Sequence, residues 1–213
     1  MTNRPDQASL SLRSRLKQAT AREILNAAEQ VLAEQGAAAS MQAIARMAGV
    51  AVGTLYNHFT DKDDLVRGLL SVRRGELFKA VDEAMAGRSD APFVTQLLTF
   101  VQAIFTQFER RRSYLKIAIG SDMPRGEGDD GRPALLRTMD RLRPVIDRGL
   151  SEGVLRPELA PLYPPVLAGI IRGVLVHGRE DPAYSFTGAA ETVVELFLGG
   201  AAVKQTEKRR IPQ

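Results

Sequence analysis

Residues 40–65 read SMQAIARMAGVAVGTLYNHFTDKDDL, and the spacing inside this stretch decides the fold. Ser40 carries a hydroxyl suited to accept from a first-turn amide. Met41, Ile44, Ala45 and Ala48 then recur at i, i+3, i+4 and i+7, the apolar stripe of a short helix. Gly49 supplies the left-handed stop that ends it. Val52, Leu55, Tyr56 and Phe59 form a second short stripe, and Asp61 caps the helix that follows, with Asp64 at its N3 position. Two short helices separated by a tight glycine turn are the helix-turn-helix layout.

Upstream of this stretch, Ile24, Ala28, Val31 and Leu32, widened by Leu25, predict a helix over residues 20–35 that Gly36 closes. Residues 1–19 have little apolar content and carry Arg4, Arg13, Arg15 and Lys17 against Asp6. They are expected to be a mobile basic arm, which either reaches phosphates or a minor groove or is a solvated tail.

Downstream, a long helix over 61–85 places Leu65, Leu69, Val72, Leu77 and Val81 around one face and stops at Gly87. Asp90 and Pro92 open a helix whose Phe93, Leu97, Phe100, Val101, Ile104, Phe105 and Phe108 make a stripe too wide for a surface position. A short helix over 110–119 and a loop over 120–131 follow. Pro133 restarts a helix with Leu135, Leu136, Met139, Leu142, Ile146 and Leu150 inward and Gly153 as its stop. Helices over 166–178 and 186–203 close the chain, and no alternating run bounded by turns predicts a sheet. The expectation is an all-α protein of about nine helices: a basic arm over 1–19, a three-helix helix-turn-helix domain over 20–66, a larger helical domain for ligand binding and dimerisation over 67–204, and a tail over 205–213.

Composition narrows the function. Hydrophobic residues at 44% and charged residues at 25% of 213 exclude a disordered or fibrous chain. The absence of cysteine excludes thiolate metal sites and cysteine nucleophiles and suits a reducing cytoplasm, where the protein is expected. The polar first twenty residues do not read as a signal peptide. The longest apolar run, 166–176, is broken by Arg172 and falls short of the roughly 20 residues of a spanning helix, so no membrane partner is expected. The net charge of +4 points weakly to an anionic partner, but its distribution says more: residues 1–75 hold ten Lys or Arg against seven Asp or Glu, net +3.

Through Ile44-Ala45, Ala48-Gly49-Val50, Gly53-Thr54-Leu55-Tyr56, His58-Phe59, Lys62 and Leu65, residues 24–65 resemble the DNA-binding domain of the TetR family of transcriptional regulators. The resemblance implies a homodimer whose paired helix-turn-helix units read a palindrome in double-stranded DNA and whose C-terminal domain binds a small inducer. One departure is Ala51, which stands where that family frequently has a phosphate-bonding serine; another is the sparse charge of the two short helices, whose only cation is Arg46.

The residues support the same reading physically. The second helix of such a unit enters the major groove, so Ala51, Val52, Gly53, Thr54 and Asn57 would face base edges. Val52 and the Thr54 methyl suit a thymine methyl, Asn57 suits an adenine edge, and Gly53 permits close backbone approach. Tyr56, His58 and Lys62 offer donors that in the resembling family clamp phosphates. Ser40 can cap its helix and share a phosphate with the free amides there. A plain core role is the competing reading for this stripe, and it is accepted for Leu55 and Phe59.

Elsewhere the chemistry thins. Gly126, Gly128 and Gly131 spell GxGxxG, but no second strand closes a βαβ unit and Asp129-Asp130 would repel a pyrophosphate. Asp61, Asp63 and Asp64 lack the remainder of a calcium loop and read as helix-start acids, and the two histidines, His58 and His177, leave no triad, so no metal, cofactor or catalytic residue is expected. Phe100, Ile104, Phe108, Met139, Leu142 and Ile146 are expected to line an apolar cavity with Tyr114, Arg143 or His177 as polar anchors, ordinary core being the alternative and His177 equally suiting a dimer interface. The expected function is a repressor released from a palindromic operator by a small, mostly apolar or aromatic ligand. An architectural or protein-partnered DNA-binding factor is the competing class.

Overall fold

A computed structural model describes residues 7–119 and 139–201, and among them lie nine α-helices and no strand. They are α1 (Gln7–Gln35), α2 (Met41–Met47), α3 (Val52–Tyr56), α4 (Lys62–Met85), α5 (Phe93–Arg110), α6 (Arg112–Ile119), α7 (Arg143–Ser151), α8 (Tyr163–Gly178) and α9 (Ala190–Ala201), with short 3-10 turns between several of them. The all-helical expectation is met.

The described residues group into two units, 7–75 with 112–119, and 76–111 with 139–201. The first is built on a core of Ile24, Leu25, Ala28, Val31 and Leu32 from α1, Met41, Ile44 and Ala45 from α2, Leu55 from α3, and Leu65, Val66 and Leu69 from α4. Ile117 of α6 joins that core, so α6 belongs with the N-terminal helices and not with the larger domain expected over 67–204. A long loop in sequence does not forbid this, since closing it costs entropy that grows only slowly with length. Within the same unit Arg73 is almost fully buried; its Nε donates to Glu29 Oε2 at 2.6 Å and its Nη2 to Asn26 Oδ1 at 2.6 Å. This network ties α4 to α1 through two full charges, and removing either partner would strand the other in the core.

The first helix starts earlier than its apolar stripe predicts. Where the sequence reading has a mobile arm to residue 19, the described chain is helical from Gln7. Periodicity cannot reveal this part, because Leu12, Ser14, Arg15, Leu16, Lys17, Gln18 and Ala19 are exposed and cover no core. Helix propensity explains it: residues 7–35 contain neither glycine nor proline, and Ala, Leu, Arg, Lys and Gln are good helix formers.

In the second unit α5 buries Phe93, Gln96, Leu97, Phe100, Val101, Ile104, Phe105 and Phe108, the breadth its stripe requires. The buried Gln96 amide donates to Ser89 O at 3.0 Å and Ala91 O at 2.8 Å and so holds the preceding loop, while Glu152 Oε2 accepts from Phe93 N at 3.1 Å and caps the helix start that Pro92 leaves uncapped. α5 packs on α7 and α9, and Tyr163 closes the turn before α8 by accepting from Arg156 N at 2.9 Å and donating to Arg156 O at 2.8 Å.

The 3-10 turn before α8 lengthens its apolar stretch beyond the sequence estimate. Pro157–Gly178 spans 22 residues, and its most apolar 18-residue window has a mean hydropathy of 1.6 with 28% of it buried, long and apolar enough by length and composition to cross a bilayer. The expected loop over 120–131, the GxGxxG glycines and the helix start at Pro133, with Leu135 and Leu136, lie outside the described residues.

Candidate nucleic-acid interface

Ser40 caps α2 as its sequence position predicts, its Oγ accepting from Ala43 N at 3.1 Å. Gly49 then takes the left-handed conformation, φ +67°, which a side chain would resist. The chain turns into α3, a helix of five residues that buries Leu55 completely and little else. Anchoring by one leucine leaves Ala51, Val52, Gly53, Tyr56 and Asn57 exposed, with Thr54 and His58 half-buried. Val52 is 37% and Tyr56 46% exposed, so the core reading fails for both.

Nothing inside the fold requires glycine at position 53: its φ is not left-handed, and a Cβ there would meet open space. Gly68 is different, because a Cβ would sit 3.0 Å from Phe59 Cε1, and its absence lets the Phe59 ring pack over α4. No side chain caps α3, whose N-cap is Ala51. Arg46 is exposed on α2, and so is Met47, 51% accessible, which sequence reasoning missed because it lies off the stripe of Met41, Ile44 and Ala45.

The start of α4 is fixed reciprocally. Asp61 Oδ1 accepts from Asp64 N at 2.7 Å, while Asp64 Oδ2 accepts from Thr60 N at 3.0 Å, which accounts for two of the three acids as capping groups. Lys62 does something the sequence does not announce. Its Nζ donates to Ala37 O at 2.8 Å and to Ala39 O at 3.2 Å, holding the turn that leads into Ser40. An ammonium has three donors, so one N–H remains for a group outside the chain.

The residues expected to bind a ligand separate into three sets. Phe100, Ile104 and Phe108 of α5, with Met139, Leu142 and Ile146 on and before α7, are buried in the second unit, where α5 and α7 pack together. Tyr114 is buried in the first unit, on α6. Arg143 and His177 are exposed, which removes them as inward anchors: Arg143 lies off the Leu142, Val145, Ile146 face, and the His177 ring stands edge-on to Tyr184 with centroids 5.4 Å apart. Among the described residues no three His, Asp or Glu gather in a way that could hold a metal.

Residues 24–69 match the family described as bacterial regulatory proteins, tetR family. The fatty acid metabolism regulator protein of Bacillus subtilis (strain 168) is 26% identical over 191 residues, covering 84% of this chain and 93% of the relative. Among solved structures, the transcriptional regulator FadR of B. subtilis in complex with stearoyl-CoA superposes with a TM-score of 0.73 at 22% identity, covering 84% of this chain and 98% of that one. SmeT, the repressor of the Stenotrophomonas maltophilia multidrug efflux pump SmeDEF, superposes at 0.68 with 21% identity, covering 89% and 93%. At these identities the superpositions speak to the fold.

Proposed function

We propose, from the premise that this chain is a tetR-family transcriptional regulator, that it is a repressor, working in the cytoplasm as a homodimer, which a small apolar ligand releases from a palindromic operator. The observation that carries the DNA-binding part is α3 itself. A five-residue helix pinned by one leucine leaves most of its side chains at the surface, and Gly53 has no reason inside the fold to lack a Cβ. In this reading Val52, Gly53, Thr54 and Asn57 meet base edges, while Ser40, Tyr56, His58 and the remaining N–H of Lys62 hold phosphates.

The dimer is supported by α8 and α9. Val166 is 49%, Val176 40% and Leu196 63% exposed, and a helix as apolar as α8 with so little of it buried suits a partner face of the same kind. The ligand reading rests on Phe100, Ile104, Phe108, Met139, Leu142 and Ile146, with the stearoyl-CoA named for FadR as support for an apolar, long-chain class. The experiment is binding-site selection with the full-length protein followed by footprinting: a two-fold motif with half-sites about 34–36 Å apart, or a multiple of that, is expected. An asymmetric or unselective footprint would favour an architectural factor.

A further inference from the structure

The described side chains of α1 at 12 and 14–19 cover no core in their own unit. Between Gln7 and Ile24, the first buried residue among those whose side chains are described, the helix advances about 25 Å, and Leu12, Ser14, Arg15, Leu16, Lys17, Gln18 and Ala19 are all exposed. Residues 7–22 carry Arg13, Arg15, Lys17 and Arg22 and no acid; the next acid is Glu23. Arg15, Lys17 and Arg22 make no ion pair among the described residues. Arg15, Lys17 and Arg22, uncompensated on one helical segment, would repel one another, so an anionic partner relieves the segment itself.

The line of this helix matters as much as its charge. Ile24, Ala28 and Val31 face the core, and positions seven residues apart lie nearly one above another. Lys17 therefore continues the line of Ile24, and Ser14 that of Ala21 and Ala28, so the stripe that packs α1 into its unit becomes polar and basic beyond the edge of the core. Meanwhile residues 40–59 present only Arg46 as a full cation. A reading head with one arginine neutralises few phosphates, and phosphate neutralisation supplies much of the affinity for DNA. Deficit and surplus lie on neighbouring elements, since α1 packs on α2.

We infer that the stretch of α1 carrying Arg13, Arg15 and Lys17 is a second DNA-contacting element, a rigid basic helix that holds phosphates flanking the site read by α3. The inference rests on the reading of residues 40–62 as the DNA interface. Leu12 and Leu16, each 59% exposed, sit one turn apart and would be the anchor if the segment instead joined a second copy of the chain. Their pair is small beside the unpaired cations Arg15, Lys17 and Arg22, which favours the duplex as the occupant.

The test compares the full-length wild type with R13Q/R15Q/K17Q and with L12Q/L16Q, on a duplex carrying the selected operator and on a scrambled duplex, between 50 and 200 mM salt. Glutamine keeps helix propensity, and the exposed positions of Leu12, Arg15, Leu16 and Lys17 leave the core intact. If each of the three cations holds one phosphate, the salt slope falls by about 2.7, and the affinity gap between wild type and the charge variant narrows about forty-fold across that range, equally for both duplexes. The selected motif and the sedimentation of the charge variant stay unchanged, and L12Q/L16Q behaves as wild type. A charge variant with the wild-type slope overturns the inference, and so does a leucine variant that changes assembly while the charge variant does nothing. Wild type that selects no operator would instead overturn the reading of residues 40–62, a result distinct from an unaltered slope.

Discussion

The ammonium of Lys62 lies 2.8 Å from the carbonyl oxygen of Ala37, so the first residue of α4 fastens the turn from which α2 starts. Lys62→Ala releases that carbonyl and the one of Ala39 together. The expected loss is about 1 kcal/mol of unfolding free energy, the scale of a half-exposed hydrogen-bonded charge, read from denaturant midpoints. The proposed phosphate contact adds a second signature, a salt slope lower by about one. Loss of stability with an unchanged slope would leave Lys62 as a tie for the turn and refute the contact.

Base readout and phosphate contact separate in the same way on α3. Asn57→Ala and Val52→Ala should each lose about 1–3 kcal/mol of discrimination at particular base pairs, since they remove a directional bond or a methyl contact. Tyr56→Phe removes only a hydroxyl that points to no base in this reading, and should weaken all duplexes alike. Site selection with each variant decides it: the same motif from Asn57→Ala and wild type would move readout away from Asn57.

The reading head was legible because its residues obey local rules. Ser40 and Asp61 accept from the amides that their positions predict, and Gly36, Gly49, Gly87 and Gly153 all take positive φ where stops were expected. What stayed hidden was whatever local pattern does not encode. Lys62 reaches carbonyls more than twenty residues away, and Ile117 pulls α6 into the first unit, both long-range choices without a periodic signal. The early start of α1 escaped because a helix without a core has no stripe. Residue type alone makes Arg143 and His177 polar anchors, whereas the helix faces on which they fall point them outward.

Gly178 tests the packing of the second unit. A Cβ at this buried position would stand 2.7 Å from Cε1 of Phe186, a fully buried ring, and would also collide with Tyr184. Gly178→Ala should lower stability by about 1–3 kcal/mol through overpacking, despite alanine being the better helix former. A melting temperature at or above that of wild type would show that the aromatic pair yields freely.

Gly173 sits on the exposed side of α8, where a Cβ would meet open space. Gly173→Glu should therefore leave the monomer fold intact while placing like charges opposite one another in a two-fold interface built on α8 and α9. Sedimentation is expected to show a monomer with an unaltered helical spectrum, and with it a weaker hold on the full palindrome. A dimer that persists would place the interface on another surface.

The ligand prediction depends on packing between α5 and α7. Their buried side chains Phe100, Ile104, Phe108, Leu142 and Ile146 offer an apolar wall and no buried ionic group among them, so an acyl or aromatic body should be held by its hydrocarbon, with at most one or two polar contacts. Free fatty acids and their coenzyme A thioesters of graded chain length are suitable probes in a thermal-shift series. A ligand at a hundred times its Kd adds about 2.7 kcal/mol to the folded state, a readily measured shift, and the effect should grow with chain length until the space is filled. Release from the operator requires more than binding, because a ligand moves an equilibrium only by its difference in affinity for the DNA-bound and free conformations. The same compounds should therefore raise the Kd for the operator at saturation, in the order in which they raise the melting temperature. A compound that stabilises the fold and leaves operator affinity untouched at saturation would keep the proposed binding site and remove induction as its purpose.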